Sequence, residues 1–281
     1  MRELNAMKII DPLDFHNAVQ KLRFFFEKKG FIEVHTQSRL SVLAACEDPR
    51  TIATFNYAGN LWPLPQTGQM WLEYELLNNP NTPGYYCIST SFRNEPNPIA
   101  GRHDLVFPMF EFETKGNFDL LEILEKELIE FLGISTLDNI ITKEYKELSI
   151  MSNVKELESN HEEEIWRDLG CAVLIKHFPQ YTSPFWNMKK NDDCANKIDA
   201  ILFGIETIGS AERSIDPDEM RELFHTISNG MYADILFAQF GKKRVENELE
   251  EFLKFDFFER CGGGIGITRL IRALKLSQIN N

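Results

Sequence analysis

No run of apolar residues in this sequence approaches the ~20 needed to cross a bilayer, and the opening MRELNAMKIIDPLDF lacks the apolar core of a secretory signal. A cytoplasmic location is the expectation. Cysteine is sparse and unpaired: Cys46, Cys87, Cys171, Cys194 and Cys261 form no C-x-x-C pair and have no histidine at ligand spacing. An odd, scattered set argues against a disulfide framework or a structural zinc site and predicts reduced thiols in or near the core. Positive charge is short as well, with 30 Lys and Arg against 43 Asp and Glu and a formal net charge of −13. Affinity for nucleic acid comes largely from neutralising phosphates, and this balance shows no basic face for that purpose. Nor does any Gly/Ser/Pro-rich linker or charge block divide the 281 residues, so a single domain over 1–281 is expected.

The most informative stretch runs from Ser91 to Glu113, SFRNEPNPIAGRHDLVFPMFEFE. Phe92-Arg93-Asn94-Glu95 leads into a Pro/Gly-punctuated loop with Arg102 and His103, and the chain returns on apolar residues alternating with Glu111 and Glu113. The pattern predicts a long β-hairpin. Guanidinium groups pair with phosphate oxygens in bidentate fashion and stay charged at any working pH, so Arg93, Arg102 and His103 suit a polyanion such as a triphosphate. A carboxylate among them, Glu95, can take an amine or an adenine amino group. An ordinary surface hairpin with solvated charges is the alternative.

A second site is KIDAILFGIETIGSAERSID, Lys197 to Asp216. Two carboxylates near a triphosphate are the ligands Mg²⁺ uses together with phosphate oxygens and water, and Asp199 and Glu206 offer them. Their odd spacing would put them on opposite faces of one regular strand, so a turn or bulge must intervene, and Gly204 can supply it. Near the end, Cys261-Gly-Gly-Gly-Ile-Gly-Ile-Thr-Arg269 is no dinucleotide fingerprint, because too little chain follows for the rest of a βαβ unit. Glycines ahead of a helix instead allow close backbone approach to a nucleotide, with Arg269 on the helix's first turn.

These segments resemble, in order, the motifs of class II aminoacyl-tRNA synthetases. FFEKKGFIEVHT, read as a helix from Leu13 to Lys28 and a strand from Phe31 to Thr36, is similar to motif 1, which in the family forms a homodimer interface; Gln37 stands where the family has proline. The hairpin resembles motif 2, with Arg93, Glu95, Arg102, His103 and Phe107 on its positions, and the glycine run resembles motif 3. The closest similarity is to the asparaginyl and aspartyl branch and to the related ammonia-dependent asparagine synthetase. In that branch a mobile-loop Glu and a Gln hold the amino acid's ammonium group, positions matched by Glu47 and by Gln69 in TGQMWLE; Asp48-Pro49-Arg50 replace the glycines that follow the loop Glu in asparaginyl enzymes. The segment from Asp199 to Arg213 tracks the branch's D-x(6)-E signature. Arg213 then falls on the arginine that reads the substrate's side-chain carboxylate or amide, a structural salt bridge being its other reading, and Glu111 joins it at the amino-acid end. Thr268 replaces the acid usual before Arg269.

The resemblance implies a mixed α/β fold, a mainly antiparallel sheet flanked by helices; full asparaginyl and aspartyl enzymes also carry an N-terminal anticodon-binding barrel, and with only about a dozen residues before motif 1 no such domain is expected here. It implies attack of an α-carboxylate on the α-phosphorus of ATP, giving an acyl-adenylate and pyrophosphate. Arg93 would meet the α-phosphate, Mg²⁺ would sit at Glu206 with Asp199, and Arg102, His103 and Arg269 would meet the distal phosphates. Phe107 and Arg269 would enclose the adenine. The acidic charge and the short stretch before motif 1 point to transfer to ammonia or a small amine rather than to tRNA. Aminoacylation of a tRNA or carrier, and a non-catalytic binding paralogue, remain the alternatives. Elsewhere, Leu120 to Leu132 and Leu148 to Leu169 read as helices, Cys171 to Ile175 as a short buried strand, and Glu162-Glu163-Glu164 as a solvated face.

Overall fold

The computed structural model describes residues 10–36, 49–99 and 104–280. Its frame is a nine-stranded mixed sheet built from β1 (Ile32–Glu33), β4 (Gly84–Phe92), β5 (Val106–Lys115), β6 (Ile141–Glu144), β7 (Ala172–Pro179), β8 (Lys190–Asn191), β9 (Cys194–Leu202), β10 (Ile205–Glu212) and β11 (Arg260–Gly266). The order is β1-β4-β5-β11-β10-β9-β7-β6, with β8 paired to β9. Only β1 on β4 and β6 on β7 run parallel; the pairs between them are antiparallel. A separate hairpin joins β2 (Thr54–Tyr57) to β3 (Asn60–Pro63). The helices are α1 (Pro12–Lys28), α2 (Gln69–Asn78), α3 (Phe118–Phe131), α4 (Tyr145–Met151), α5 (Ser159–Leu169), α6 (Pro217–Thr226), α7 (Met231–Phe240), α8 (Lys242–Phe252) and α9 (Ile267–Asn280). The expected antiparallel sheet with flanking helices is present. No helix among the described residues is long and apolar enough to cross a membrane.

Strand periodicity decides which face does what. Side chains alternate across a strand, so on β5 Phe110 and Phe112 point into a core shared with Leu22 and Phe26 of α1, Leu121 and Leu128 of α3, and Leu270 of α9. The intervening Glu111 and Glu113 face the other way. That second face is covered at one end by α2 and α6 to α8, through Met70, Trp186, Phe224 and Phe252, and at the other by α4 and α5, through Leu148 and Ile165 against Val173 and Ile201. Between the two covers the sheet is open.

Local signals explain most boundaries. Asp11 caps α1 by accepting from the Leu13 and Asp14 backbone N–H groups, with Pro12 in the first turn, and Gly30 at φ +82° follows its end. Asp216 and Pro217 repeat the arrangement at α6. Two expectations are corrected. The helix read over Leu148 to Leu169 is two helices, because Asn153 turns to φ +52° and the Val154 N–H donates to the Ser149 carbonyl, closing α4 before α5 begins. The strand read over Phe31 to Thr36 shrinks to β1, extended by one bond from the Val34 N–H to the Tyr86 carbonyl.

Candidate active site

The open part of the sheet is a cleft of about 360 Å³, within the range usual for small-molecule sites, and its walls come from four distant parts of the chain. Arg93 and Glu95 follow β4, Phe107 and Glu111 lie on β5, Glu206 and Gly209 on β10 with Arg213 just beyond, and Gly264, Gly266 and Arg269 come from β11 and α9. Gln69 enters from the start of α2. Eight of the residues singled out in the sequence, Arg93, Glu95, Phe107, Glu111, Gln69, Glu206, Arg213 and Arg269, therefore meet in one cavity. Glu47, Arg102 and His103 lie outside the described residues, as do Gln37, Cys46 and Asp48.

The motif 2 hairpin is regular up to its loop: Ser91 pairs with Phe107, and the Arg93 N–H donates to the Leu105 carbonyl. Arg93 then donates from Nε to Ser91 Oγ at 3.2 Å, and its guanidinium stands 6.0 Å from the Phe107 ring centroid. At the same end Arg269 Nη1 donates to the Glu206 carbonyl at 2.7 Å and lies 3.8 Å from Glu206 Oε2. Its helix starts directly after the glycine strand, as expected, and that strand is a central member of an antiparallel sheet rather than part of a βαβ unit.

Asp199 and Glu206 reach one face because β9 and β10 form a hairpin turning at Phe203-Gly204, both with positive φ. Glu206 pairs with Ile201, Ile208 with Ala200, and Thr207 is the extra residue of a β-bulge. Both carboxylates converge over Gly209. A Cβ there would lie 3.2 Å from Glu206 Oε1 and 3.5 Å from Asp199 Oδ1. Lys197 Nζ balances Asp199 at 3.2 Å. Glu162, expected in a solvated face, instead accepts the Glu206 backbone N–H at 2.7 Å and so helps hold the hairpin; Glu163 and Glu164 are exposed.

The opposite end is a buried charge network. Arg213 lays its Nε and Nη2 on the two oxygens of Glu113, each at 3.2 Å, and its Nε is 3.7 Å from Glu73 Oε1. Glu73 in turn accepts two bonds from the fully buried Arg260, at 3.0 and 2.8 Å, and one from Asn187 Nδ2 at 2.6 Å. Arg260 also donates to the Ser214 carbonyl and stacks 4.8 Å over Phe257. Gln69 donates from Nε2 to the Phe112 carbonyl and to Glu113. Glu111 is buried too, accepting from the Gly68 N–H at 2.8 Å and from Thr67 and Ser89 hydroxyls. Burial pushes the Glu113 carboxyl up to about 7, while the Arg213 guanidinium pulls it back toward the ionised form. Gly262 must lack a side chain here, since a Cβ would collide with Glu113 and the Phe112 carbonyl. Beneath the sheet, Glu125 of α3 accepts from Ser210, and burial pushes its carboxyl up to about 8.

Glu73, Arg260, Asn187 and Glu125 carried no role in the sequence reading. TGQMWLE and Arg260-Cys261 abut recognised motifs, yet a pair 187 residues apart has no local signature.

With this geometry in hand, the family model for class II tRNA synthetases (D, K and N) matches residues 9–280. The chain belongs to that family. Among solved structures, asparaginyl-tRNA synthetase from Pyrococcus horikoshii complexed with asparaginyl-adenylate superposes with a TM-score of 0.77 at 19% identity, covering 94% of this chain and 65% of that one. Asparaginyl-tRNA synthetase from Entamoeba histolytica, also with asparaginyl-adenylate, gives 0.72 at 17% identity, with 93% and 63% covered. A putative aspartyl-tRNA synthetase from Leishmania major Friedlin gives 0.73 at 16% identity, with 94% and 62% covered. The chain thus spans a little under two thirds of these relatives' lengths. A search of curated proteins finds no match.

Proposed function

We propose that this family member uses ATP to activate the carboxylate of a small amino acid, aspartate or similar, as an acyl-adenylate with release of pyrophosphate. The observation that carries the reading is the meeting of Arg93, Glu95, Phe107, Glu206, Arg213 and Arg269 in one cleft. Adenylate formation needs positioning and charge neutralisation more than an acid or base. Arg93 meets the α-phosphate; Arg269, with Arg102 and His103, meets the distal phosphates; Phe107 and Arg269 enclose the adenine. Gln69, with Glu47, takes the ammonium group, and Glu111 and Arg213 form the far wall. Glu206 and Asp199 fit Mg²⁺, because two carboxylate oxygens converge over a glycine where a side chain would intrude, and among the described residues no third His, Cys, Asp or Glu joins them. A bound Mg²⁺ would add charge neutralisation there alongside phosphate and water ligands.

The acceptor in this reading is ammonia or a small amine, supported by the net charge of −13, which meets tRNA with an unfavourable long-range field. Aminoacylation of tRNA is the second reading, favoured by the tRNA synthetases among the structural relatives. A homodimer follows from the apolar residues that α1 and its neighbours leave exposed, Leu13, Phe24, Ile32 and Phe131; sedimentation as a monomer at micromolar concentration would remove it. The function is tested by ATP–pyrophosphate exchange with each of the twenty amino acids, followed by product analysis with ammonium and with tRNA. Exchange with an aspartate-type amino acid and an amide product is expected. Absence of exchange with all twenty would sink the adenylate, and label on acid-precipitable tRNA without amide would select the second reading.

A further inference from the structure

A second cavity lies under the α4 and α5 cover and meets the cleft at two shared residues, Lys197 and Glu206. Lys197 precedes Asp199 by two residues on β9, so both side chains leave the same face of the strand. Its ammonium is 3.2 Å from Asp199 Oδ2 and 4.4 Å from the centre of the Phe178 ring, and the side chain is only 13% exposed. A bulge puts that ring there. Ile175 pairs with Asp199 and Phe178 with Ala195; the extra residue, His177 at φ +55°, turns Phe178 to the face of Ile175, where both line the second cavity.

The two oxygens of Asp199 therefore have different neighbours. Oδ1 looks toward Glu206 across Gly209, where a Cβ would lie 3.5 Å from it, while Oδ2 is against the ammonium. A carboxylate that bridges a pair of divalent ions about 3.5–4 Å apart gives one oxygen to each. At Asp199 the ammonium stands on the side where the second ion would have to bind, and like charges repel strongly in a wall that water barely reaches. No other acid makes room for such an ion: among the described residues no group of three His, Cys, Asp or Glu side chains fits a metal, and Glu162, next along the wall, accepts the Glu206 N–H. A shielded ion pair is a poor source of stability in itself. A fixed positive charge beside a polyanion site has a use of its own.

We propose that Lys197 is a positioning residue: its ammonium takes the place of a second divalent ion at Asp199, so that the site works with a single Mg²⁺ and supplies the other positive charge itself. This rests on the ATP and Mg²⁺ reading above. Without the ammonium, Asp199 regains an oxygen with which to bridge, and the site admits a second ion.

The test counts Mn²⁺, a paramagnetic substitute for Mg²⁺, by electron paramagnetic resonance on the full chain saturated with a non-hydrolysable ATP analogue, after subtraction of the ions held by free analogue. The wild type is expected to hold one ion per active site, Lys197→Met two, and Lys197→Arg, which keeps a cation, one. Lys197→Gln replaces the methionine variant should that not fold. In pyrophosphate exchange the dependence on Mg²⁺ concentration should steepen in Lys197→Met and return to the wild-type form in Lys197→Arg. A lysine that only braces Asp199 would, when removed, weaken the one ion without changing the count, and a lysine that grips phosphate directly would weaken the analogue without changing the count. Either result overturns the proposal. Failure of the wild type to take up the analogue or any Mn²⁺ removes the ATP and Mg²⁺ reading and this proposal with it, whereas two ions in a wild type with normal exchange remove this proposal alone.

Discussion

The two ends of the cleft handle charge in opposite ways. At the proposed phosphate end Arg269 and Glu206 keep 33% and 41% of their side chains exposed, and the contact between their charged groups is a loose 3.8 Å. At the proposed amino-acid end Arg213 keeps 5% and Glu113 none, with Arg260 and Glu73 fully buried and bonded at 2.8 Å. Exposed charges near water are available to a polyanion at little cost, while charges taken out of water must be paired before any ligand arrives. The first end suits a ligand that brings its own strong charge. The second presents a finished, nearly neutral surface whose shape and hydrogen-bonding groups do the selecting.

The sharpest way to break this contrast is Arg260→Ala. It leaves Glu73 buried without its guanidinium, and a loss of ~3–5 kcal/mol in unfolding free energy is expected, read by urea denaturation. A loss under 1 kcal/mol would mean that the network is not held from behind in this way. Next come Arg93→Ala and Arg269→Ala, which should leave the denaturation midpoint nearly unchanged while removing about 2–4 kcal/mol of transition-state stabilisation each, seen as a roughly hundredfold or greater fall in pyrophosphate exchange. Near-normal exchange in either variant would show that the exposed end does not bind phosphate.

A third, smaller effect concerns Glu125. Its folded carboxyl, raised to about 8, holds a proton that the unfolded chain releases near the ordinary glutamate value. Between those limits the native state binds more protons than the unfolded one, so this group's contribution to stability declines as pH rises, by on the order of 1 kcal/mol per unit. Comparing stability at pH 5.5 and 8 in wild type and Glu125→Gln isolates it, because the amide cannot titrate. The variant should gain relative to wild type at the higher pH; equal slopes would mean that Glu125 is already ionised in the fold.

How much of this was legible in the sequence follows the same division. Arg93, Glu95, Phe107, Glu206 and Arg269 were readable because each sits in a short contiguous motif beside a turn or helix start. The alternation that aims Glu111 and Glu113 away from Phe110 and Phe112 was readable as well, since strand periodicity is local. Glu73 and Arg260 were not, because their pairing depends on the path of the sheet between them. The break between α4 and α5 was hidden for another reason: Val154 to Glu158 has a composition compatible with helix, and one positive-φ residue, Asn153, ends the first helix. Glu162 looked like one of three equivalent acids until the β10 backbone arrived beside it.

The bulge at Thr207 has one more consequence, and it is a matter of parity. Glu206 and Arg213 are an odd number of residues apart, and on an uninterrupted strand they would face opposite sides of the sheet. The single extra residue restores them to the same side, so one edge of β10 and its direct continuation presents both the Glu206 carboxylate and the Arg213 guanidinium to the cleft. At about 3.3 Å per residue that edge is a ruler of roughly 20 Å, its length set by the backbone rather than by any side-chain rotamer. The proposed substrate, lying along it, would be measured from end to end, and a one-residue slip would turn one mark of the ruler out of sight.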